Sequence, residues 1–317
     1  MNERQLITVV TPVYGCRNCL NALVDGVRDA FEGSDFEWEL VLVDDRASDN
    51  PWSLIVQLAK DDSRIRGIRL TKNHGQHLAI WAGFEVSRGD WIAVIDCDLQ
   101  DDPRVIPELH KKAIAEEVDG VVVDRGEWLD TGFRRLASKW FYGLMETLSG
   151  LNLKNNIGNF GLYSRRLVNL LLRFRDKEVF LPLMISLTGL PLSTQRLDRK
   201  HRHSGKSTYN IIRLTRMALA IMIRFSDRPL KFSVVLGSLF SFVSAIFSVF
   251  LVLAWATGAF TVPGWTSLIL SLWFLIGLTL AVLGIHGIYI GRIFAEVQDR
   301  PRIFIESTTE VSPPNKT

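Results

Sequence analysis

Cysteine is scarce in this chain: three residues in 317, namely Cys16, Cys19 and Cys97. That argues against the disulfide framework of small secreted domains and fits a reducing compartment. Cys16 and Cys19 form a C-x-x-C, but a structural zinc site needs four ligands and there is no second pair to complete one. They read as ordinary buried or loop cysteines. A secretory leader is also lacking, because residues 1–5 are polar and the apolar run 6–10 is too short, so the first half is expected to stay in the cytoplasm. No glycine-rich dinucleotide motif follows the first apolar run; Pro12-Val13-Tyr14-Gly15 stands where G-x-G-x-x-G would have to begin. Finally, Asp, Glu, Lys and Arg are absent from two long stretches, 232–255 and 265–290.

Each of those stretches exceeds the roughly 20 residues that cross a 30 Å hydrocarbon layer. A short uncharged loop around Gly258, Pro263 and Gly264 joins them, with Trp255 and Trp265 at its borders. Arg228 and Lys231 precede the first stretch, and Arg292, Arg300 and Arg302 follow the second, so the positive-inside rule predicts a hairpin with both ends cytoplasmic. A buried helical hairpin of a soluble protein is the competing reading. Gly284, Gly287 and Gly291 would let another helix approach closely, and His286 is expected to hydrogen-bond a neighbouring helix.

The formal net charge is only +3, but the cations are concentrated. Arg196, Arg199, Lys200, Arg202, Lys206, Arg213, Arg216, Arg224, Arg228 and Lys231 crowd the approach to the first apolar stretch, as expected beside anionic headgroups. Few aromatics interleave them, so nucleic acid is not an expected partner. Residues 209–225 carry apolar positions beside a face formed by Arg213, Arg216 and Arg224, which predicts an interfacial helix lying on the bilayer. An ordinary surface helix is the alternative.

The first half alternates between two periodicities. Strands are predicted at 6–12, 38–43, 66–70, 91–95 and 120–123. Helices are predicted at 20–31, after the cap signal Ser48-Asp49-Asn50-Pro51, at 79–87, at 107–117 and over 133–149, with a turn into a short strand at 158–163. Such alternation implies an α/β fold with a largely parallel sheet covered on both faces. The fourth strand ends in Asp96-Cys97-Asp98-Leu99-Gln100. Two carboxylates spaced i, i+2 at the carboxyl end of a parallel strand open into the ligand crevice, and hard oxygen ligands suit Mg²⁺ or Mn²⁺ shared with substrate phosphates. A dehalogenase-type phosphatase also begins D-x-D after a strand, but it wants Thr or Val two residues after the second Asp, where this chain has Gln100.

Taken together, Thr8-Val9-Val10-Thr11-Pro12-Val13-Tyr14, Leu42 to Asn50, Asn73-His74-Gly75-Gln76-His77, Ala82-Gly83-Phe84 and Asp96 to Gln100 resemble, in order, the inverting GT-A glycosyltransferases of family 2. The later Arg199 to Tyr209 segment, the two apolar stretches and Tyr289 to Pro301 resemble its polyprenyl-phosphate branch, with similarity to bactoprenol glucosyltransferases and undecaprenyl-phosphate formamido-arabinose transferases. The resemblance implies a cytosolic GT-A domain (Rossmann-like, mostly parallel sheet) over 1–208, an interfacial helix over 209–229, a transmembrane hairpin over 230–291 and a cytosolic tail over 292–317. It implies a nucleotide-sugar donor held by Pro12, Tyr14, Asp44, Asp45, Gln76 and Asp96, and a Mg²⁺ or Mn²⁺ ion held by Asp96, Asp98 and Gln100. Asp98, Arg125 and Arg202 are the expected catalytic residues, and Arg134, Arg135, Arg199, Arg202, Lys206 and Ser207 are expected to meet the phosphate of a polyprenyl acceptor. A bacterial inner-membrane location and a homo-oligomer, a tetramer for instance, are implied too.

The chain departs from the family pattern in three places. Gly15-Cys16 stands where many relatives have Asn-Glu. Asn159-Phe160-Gly161 replaces the Asp-Phe-Arg of bactoprenol glucosyltransferases, and Thr208 occupies the lysine position of Gly-x-Ser-Lys-Tyr. The metal set is intact, so an active enzyme is expected, with a sugar other than plain glucose. A catalytically inactive membrane scaffold and a transferase with another lipid acceptor remain as alternative readings.

Overall fold

The computed structural model describes residues 4–124, 157–176, 179–197, 228–257 and 264–309. The helices expected over 133–149 and 209–225 lie outside these ranges, as do Arg125, Arg134, Arg135, Arg199, Arg202, Lys206 and Ser207. The described residues fall into two compact units. The first contains 4–124, 157–176, 179–197 and 300–309, and the second contains 228–257 and 264–299.

The first unit is built on one eight-stranded sheet. Its first half runs β1 (Leu6–Val13), α1 (Leu20–Phe31), β2 (Glu37–Asp44), α2 (Trp52–Asp61), β3 (Ile65–Leu70), α3 (Gln76–Val86), β4 (Trp91–Val94), α4 (Ile106–Ala115) and β5 (Gly120–Asp124). Then come β6 (Ile157–Ser164), α5 (Arg165–Leu171), α6 (Leu181–Leu187) and β7 (Leu192–Arg196), and a last strand, β8 (Ile305–Thr308), lies near the far end of the chain. The order across the sheet is β7-β5-β6-β4-β1-β2-β3-β8. β1 pairs in parallel with β2 and β4, β2 with β3, and β5 with β7. β6 and β8 run antiparallel to their neighbours. The predicted α/β class with a mostly parallel sheet is thus observed, as a mixed sheet.

Apolar residues at both parities, β-branched on both faces of β1, make β1 and β2 fit for burial on two faces. Ile7, Val9 and Val13 pack with α1 and α4 in one core, while Val10 packs with α3, α5 and α6 in the other. α3 lies so close to β1 that a Cβ at Gly83 would fall 2.3 Å from Val10 Cγ1. Only glycine lets the helix sit there, and this placement puts the start of α3 beside the carboxyl end of the sheet.

The returning segment 300–309 is pinned at three points. Arg302 stacks over Trp81 at 4.5 Å and donates to the Phe174 carbonyl. β8 pairs with the edge strand β3, and Thr309 exchanges hydrogen bonds with Gly67, its N–H to the carbonyl at 3.0 Å and its hydroxyl from the N–H at 2.8 Å. The exposed edge of β3 is thereby covered.

The second unit contains α7 (Arg228–Ala256) and α8 (Trp265–Val297). They contact each other through Phe240 and Phe274, whose rings lie 5.9 Å apart. Residues Ser271–Val297 are long and apolar enough to cross a membrane by length and composition. His286 Nδ1 lies 2.8 Å from the Val282 carbonyl of its own helix, one turn back.

Alanine is the better helix former by about 1 kcal/mol, yet Gly83→Ala should lower the unfolding free energy by about 1–3 kcal/mol through overpacking. Urea denaturation of the detergent-solubilised protein measures it, and adding Val10→Ala should recover part of the loss. Unchanged or raised stability in Gly83→Ala would refute the close approach.

Candidate functional site

Because β4, β1 and β2 are neighbours and parallel, their carboxyl ends release three loops side by side. The Ile95 N–H reaches the Val10 carbonyl at 3.1 Å, and the Asp45 N–H reaches that of Val13 at 3.2 Å, so each loop starts from a fixed backbone position. With about 4.8 Å between strands, the ends of β4 and β2 stand about 10 Å apart. Tyr14 follows β1, Asp44 to Asn50 end and follow β2, and Asp96 to Gln100 follow β4.

Asp96 is half-buried and Asp98 exposed. The Gln76 side-chain amide donates to Asp96 Oδ1 at 2.5 Å, and the Gln100 N–H donates to Asp98 Oδ1 at 3.1 Å. Leu99 between them takes φ 62°, which folds the loop back so that Gln100 meets Asp98. Two carboxylates and a carboxamide oxygen are hard donors and fit Mg²⁺ or Mn²⁺. Among the described residues no group of three His, Cys, Asp or Glu side chains converges. A metal held here would therefore draw its remaining ligands from substrate and water.

Cys97 points the other way from its two acidic neighbours. It is buried and bonded to Cys16, across a Cα–Cα distance of 6.2 Å, which ties the β4 loop to the β1 loop. The sequence reading is corrected here. Scarcity of cysteine and the adjacency of Cys16 to Cys19 gave no hint of a pair separated by 81 positions, which the parallel sheet brings together. Cys19 keeps a free thiol.

Asp44 and Asp45 are sealed from solvent, at 0% and 2% exposure. Asp44 Oδ1 accepts the Ala47 N–H at 3.0 Å, and Oδ2 faces Arg69 Nε at 3.3 Å. Asp45 accepts the N–H groups of His74 at 2.7 Å and Gly75 at 2.8 Å, which lead into α3. Burial pushes both carboxyls above the ordinary range, and these hydrogen bonds and the Arg69 charge only partly oppose it. Of the expected donor-site residues, Pro12 is buried at the end of β1, Tyr14 is 57% exposed, and Gln76 is exposed beside Asp96. Arg46, Arg69 and Glu306 were not singled out by sequence reasoning. Arg46 sits inside the Leu42 to Asn50 motif, but nothing local in the sequence links Glu306 to it. In β6, a Cβ at Gly161 would stand 2.7 Å from the Tyr163 hydroxyl, so the tyrosine ring fills the space that a larger residue at 161 would need.

His77, in the first turn of α3, packs edge-on against Phe180 at 5.1 Å, and burial pushes its pKa down to about 4. Its neutral form is the folded form, so its stabilisation is complete above about pH 6.5 and is lost as pH falls toward 4. The raised carboxyls of Asp44 and Asp45 act in the opposite sense, at the acid end of that window. Unfolding temperature should therefore fall between pH 6.5 and 4, and more shallowly in His77→Gln; the same slope in both proteins would place the effect elsewhere. Thiol counting tests the covalent link. In denaturant without reductant one thiol, that of Cys19, should react with maleimide, and after reduction three should react.

Comparison with known proteins matches residues 8–172 to the family model for glycosyl transferase family 2. Over 98% of its length the chain is 31% identical to an undecaprenyl-phosphate 4-deoxy-4-formamido-L-arabinose transferase of Proteus mirabilis, of which 96% is covered. It is 30% identical to a prophage-derived bactoprenol glucosyl transferase of Shigella flexneri, over 97% of this chain and 99% of that one. Among solved structures it is similar to a mannosyltransferase from Pyrobaculum calidifontis in complex with GDP-Man and Mn²⁺, with 16% identity, 95% and 89% coverage and a TM-score of 0.48. The chain, a glycosyltransferase, belongs to glycosyl transferase family 2.

Proposed function

We propose that the protein transfers a sugar from a nucleotide-sugar donor to a polyprenyl monophosphate such as undecaprenyl phosphate, inverting the anomeric carbon, at the cytoplasmic face of the bacterial plasma membrane. The product would be a lipid-linked sugar for cell-surface glycan modification. The observation that carries this reading is the Asp96–Asp98 pair, open at the end of β4 beside the ends of β1 and β2. Support comes from relatives named for transfer involving undecaprenyl phosphate or bactoprenol, at 31% and 30% identity along nearly the whole chain.

Asp96, Asp98 and Gln100 would hold Mg²⁺ or Mn²⁺, and Gln76 keeps Asp96 oriented. When bound, the metal offsets negative charge developing on the departing diphosphate. The nucleoside end lies toward β2, past Pro12 and Tyr14. Asp44 and Asp45 act from beneath, fixing the loop and the start of α3. A phosphate monoester acceptor has a second pKa near 6 and attacks as an already ionised oxygen. No strong base is then needed, and alignment with charge neutralisation supplies the acceleration. Arg125 and Arg202 are assigned to the reacting phosphates, and Arg134, Arg135, Arg199, Lys206 and Ser207 to the acceptor phosphate. Guanidinium groups suit this work through bidentate contacts.

The domain limits proposed are 1–208 for the catalytic domain, with 300–309 returning to its sheet, 209–229 for an interfacial helix and 230–291 for a membrane hairpin built from α7 and α8. Both termini would be cytoplasmic, and subunits would assemble as a homo-oligomer, for which a tetramer is one arrangement.

Label from a panel of nucleotide sugars should enter an organic-extractable product when purified protein is given undecaprenyl phosphate and Mn²⁺ or Mg²⁺. Asp98→Asn should cut that transfer by at least about 100-fold, on the order of one lost electrostatic contact to the transition state, with an unchanged unfolding temperature. Near-wild-type turnover in Asp98→Asn would remove the metal assignment. Silence across the panel, with no nucleotide binding, would favour a non-catalytic scaffold.

A further inference from the structure

Between the two carboxylates of the candidate metal pair stands a cysteine whose sulfur is bonded to another loop. Cys97 joins Cys16 across a Cα–Cα distance of 6.2 Å, so the loop after β4 and the loop after β1 share a covalent link. Both residues are buried, at 7% exposure each. Gly15, at φ 68°, turns the chain between the exposed Tyr14 and the buried Cys16. The link therefore lies at the site, although neither sulfur belongs to the ligand set.

The two acids beside it are anchored differently. Asp96 is held from α3 by the Gln76 side chain at 2.5 Å. The contact shown for Asp98 comes from its own loop, the Gln100 N–H at 3.1 Å. Leu99, next in the chain, has φ 62°, a backbone disfavoured for a residue with a side chain. Such a conformation persists where surrounding contacts over-determine it. Cys97 is two residues away, and its bond to Cys16 is the covalent member of those contacts. With that bond open, the loop stays tied at Ile95 and Asp96, while Asp98 and Leu99 lose their nearest anchor to the β1 side.

We propose that Cys16–Cys97 is a redox latch on the metal loop: closed, it holds Asp98 in place for a divalent cation, and opened, it lowers the affinity of the site for that cation. This rests on the glycosyl-transfer reading above, and on its metal assignment in particular. That reading puts the domain in the cytoplasm, where disulfides are as a rule transient and redox-sensing rather than permanent. Opening takes a dithiol as reductant. One of its thiolates attacks a sulfur of the pair, and the other sulfur departs as a thiolate and is protonated. The second thiol of the reductant then displaces the mixed disulfide, so the dithiol is oxidised and two electrons pass to the pair. Cys16 and Cys97 are left as thiols. Closing is the reverse exchange, with a small-molecule or protein disulfide as oxidant. Both carboxylates keep their chemistry throughout, so the latch acts on the position of a ligand.

Mn²⁺ binding to the full-length, detergent-solubilised protein tests this without turnover, read from the loss of the free-ion EPR signal. The protein is treated with oxidised glutathione or dithiothreitol, the reagent is removed, and thiols are counted to fix the state of the pair. Oxidised wild type should bind Mn²⁺, and Asp98→Asn should lose that binding. Reduction should weaken it about tenfold, the scale on which groups that orient metal ligands act, and reoxidation should restore it. Cys16→Ser, which leaves Cys97 and both acids in the sequence, should bind as weakly as reduced wild type and ignore both reagents. Cys19→Ser should respond as wild type does. Reduced protein has lost a cross-link and should melt lower, so all states are compared below its unfolding temperature. Equal or tighter Mn²⁺ binding after reduction would overturn the latch. A pair that oxidised glutathione cannot close, or a Cys16→Ser protein that still responds, would do the same. If oxidised wild type binds no Mn²⁺, or Asp98→Asn binds it equally well, the metal assignment fails with it. Binding that needs Asp98 but ignores the state of the pair overturns the latch alone.

Discussion

The structure turns on a carboxylate that no solvent reaches. Asp45, at the end of β2, takes the N–H groups of His74 and Gly75, unpaired donors at the head of α3. Placing a negative charge at a helix start is favourable in itself, and burial strengthens the interaction by removing water. Those two bonds fix where α3 begins, and its first residue, Gln76, then lands on Asp96 at the end of β4. One ionic contact thus links the loops after two strands that are not neighbours in the sheet. Gly83 completes the geometry by letting the same helix lie against Val10 of the strand between them.

Burying two adjacent acids is costly, and the raised proton affinity of both Asp44 and Asp45 records that cost. A sheet held together for stability alone would place apolar residues there. Part of the compensation comes from Arg69 on β3, which also faces Glu306 of β8, a strand that reaches the sheet only after the chain has passed through the second unit. The end of β2 and the attachment of the returning tail are in this sense one electrostatic arrangement.

Much of this was legible in the sequence, because the relevant signals are local. β-branched runs at 6–12, 38–43 and 91–95 predict strands, and their observed bounds agree to within about two residues. The D-x-D pair stands where an apolar run breaks off, so its place at the end of β4 needed no tertiary knowledge. The illegible parts are those decided by which strand ends become neighbours. Cys97 carries no mark of its link to Cys16, since that contact exists only once β4 lies beside β1. Glu306 reads as one acid in a polar tail until β8 pairs with β3.

The tail also constrains how the chain can meet a bilayer. Residues 300–309 belong to the same unit as 4–124, because β8 hydrogen-bonds to β3 and Arg302 stacks on Trp81. A chain that leaves a folded unit and returns to its sheet must cross any membrane an even number of times on the way. If the apolar stretch Ser271–Val297 spans, a second segment between 206 and 299 must span in the other direction. α7 is a helix of 29 residues, long enough at about 1.5 Å per residue to cross the hydrocarbon layer. The charge-free character of 232–255 and the cations that precede it then acquire a reason beyond composition. If that stretch spans, a strand pairing at the edge of the sheet makes one apolar helix half of a hairpin.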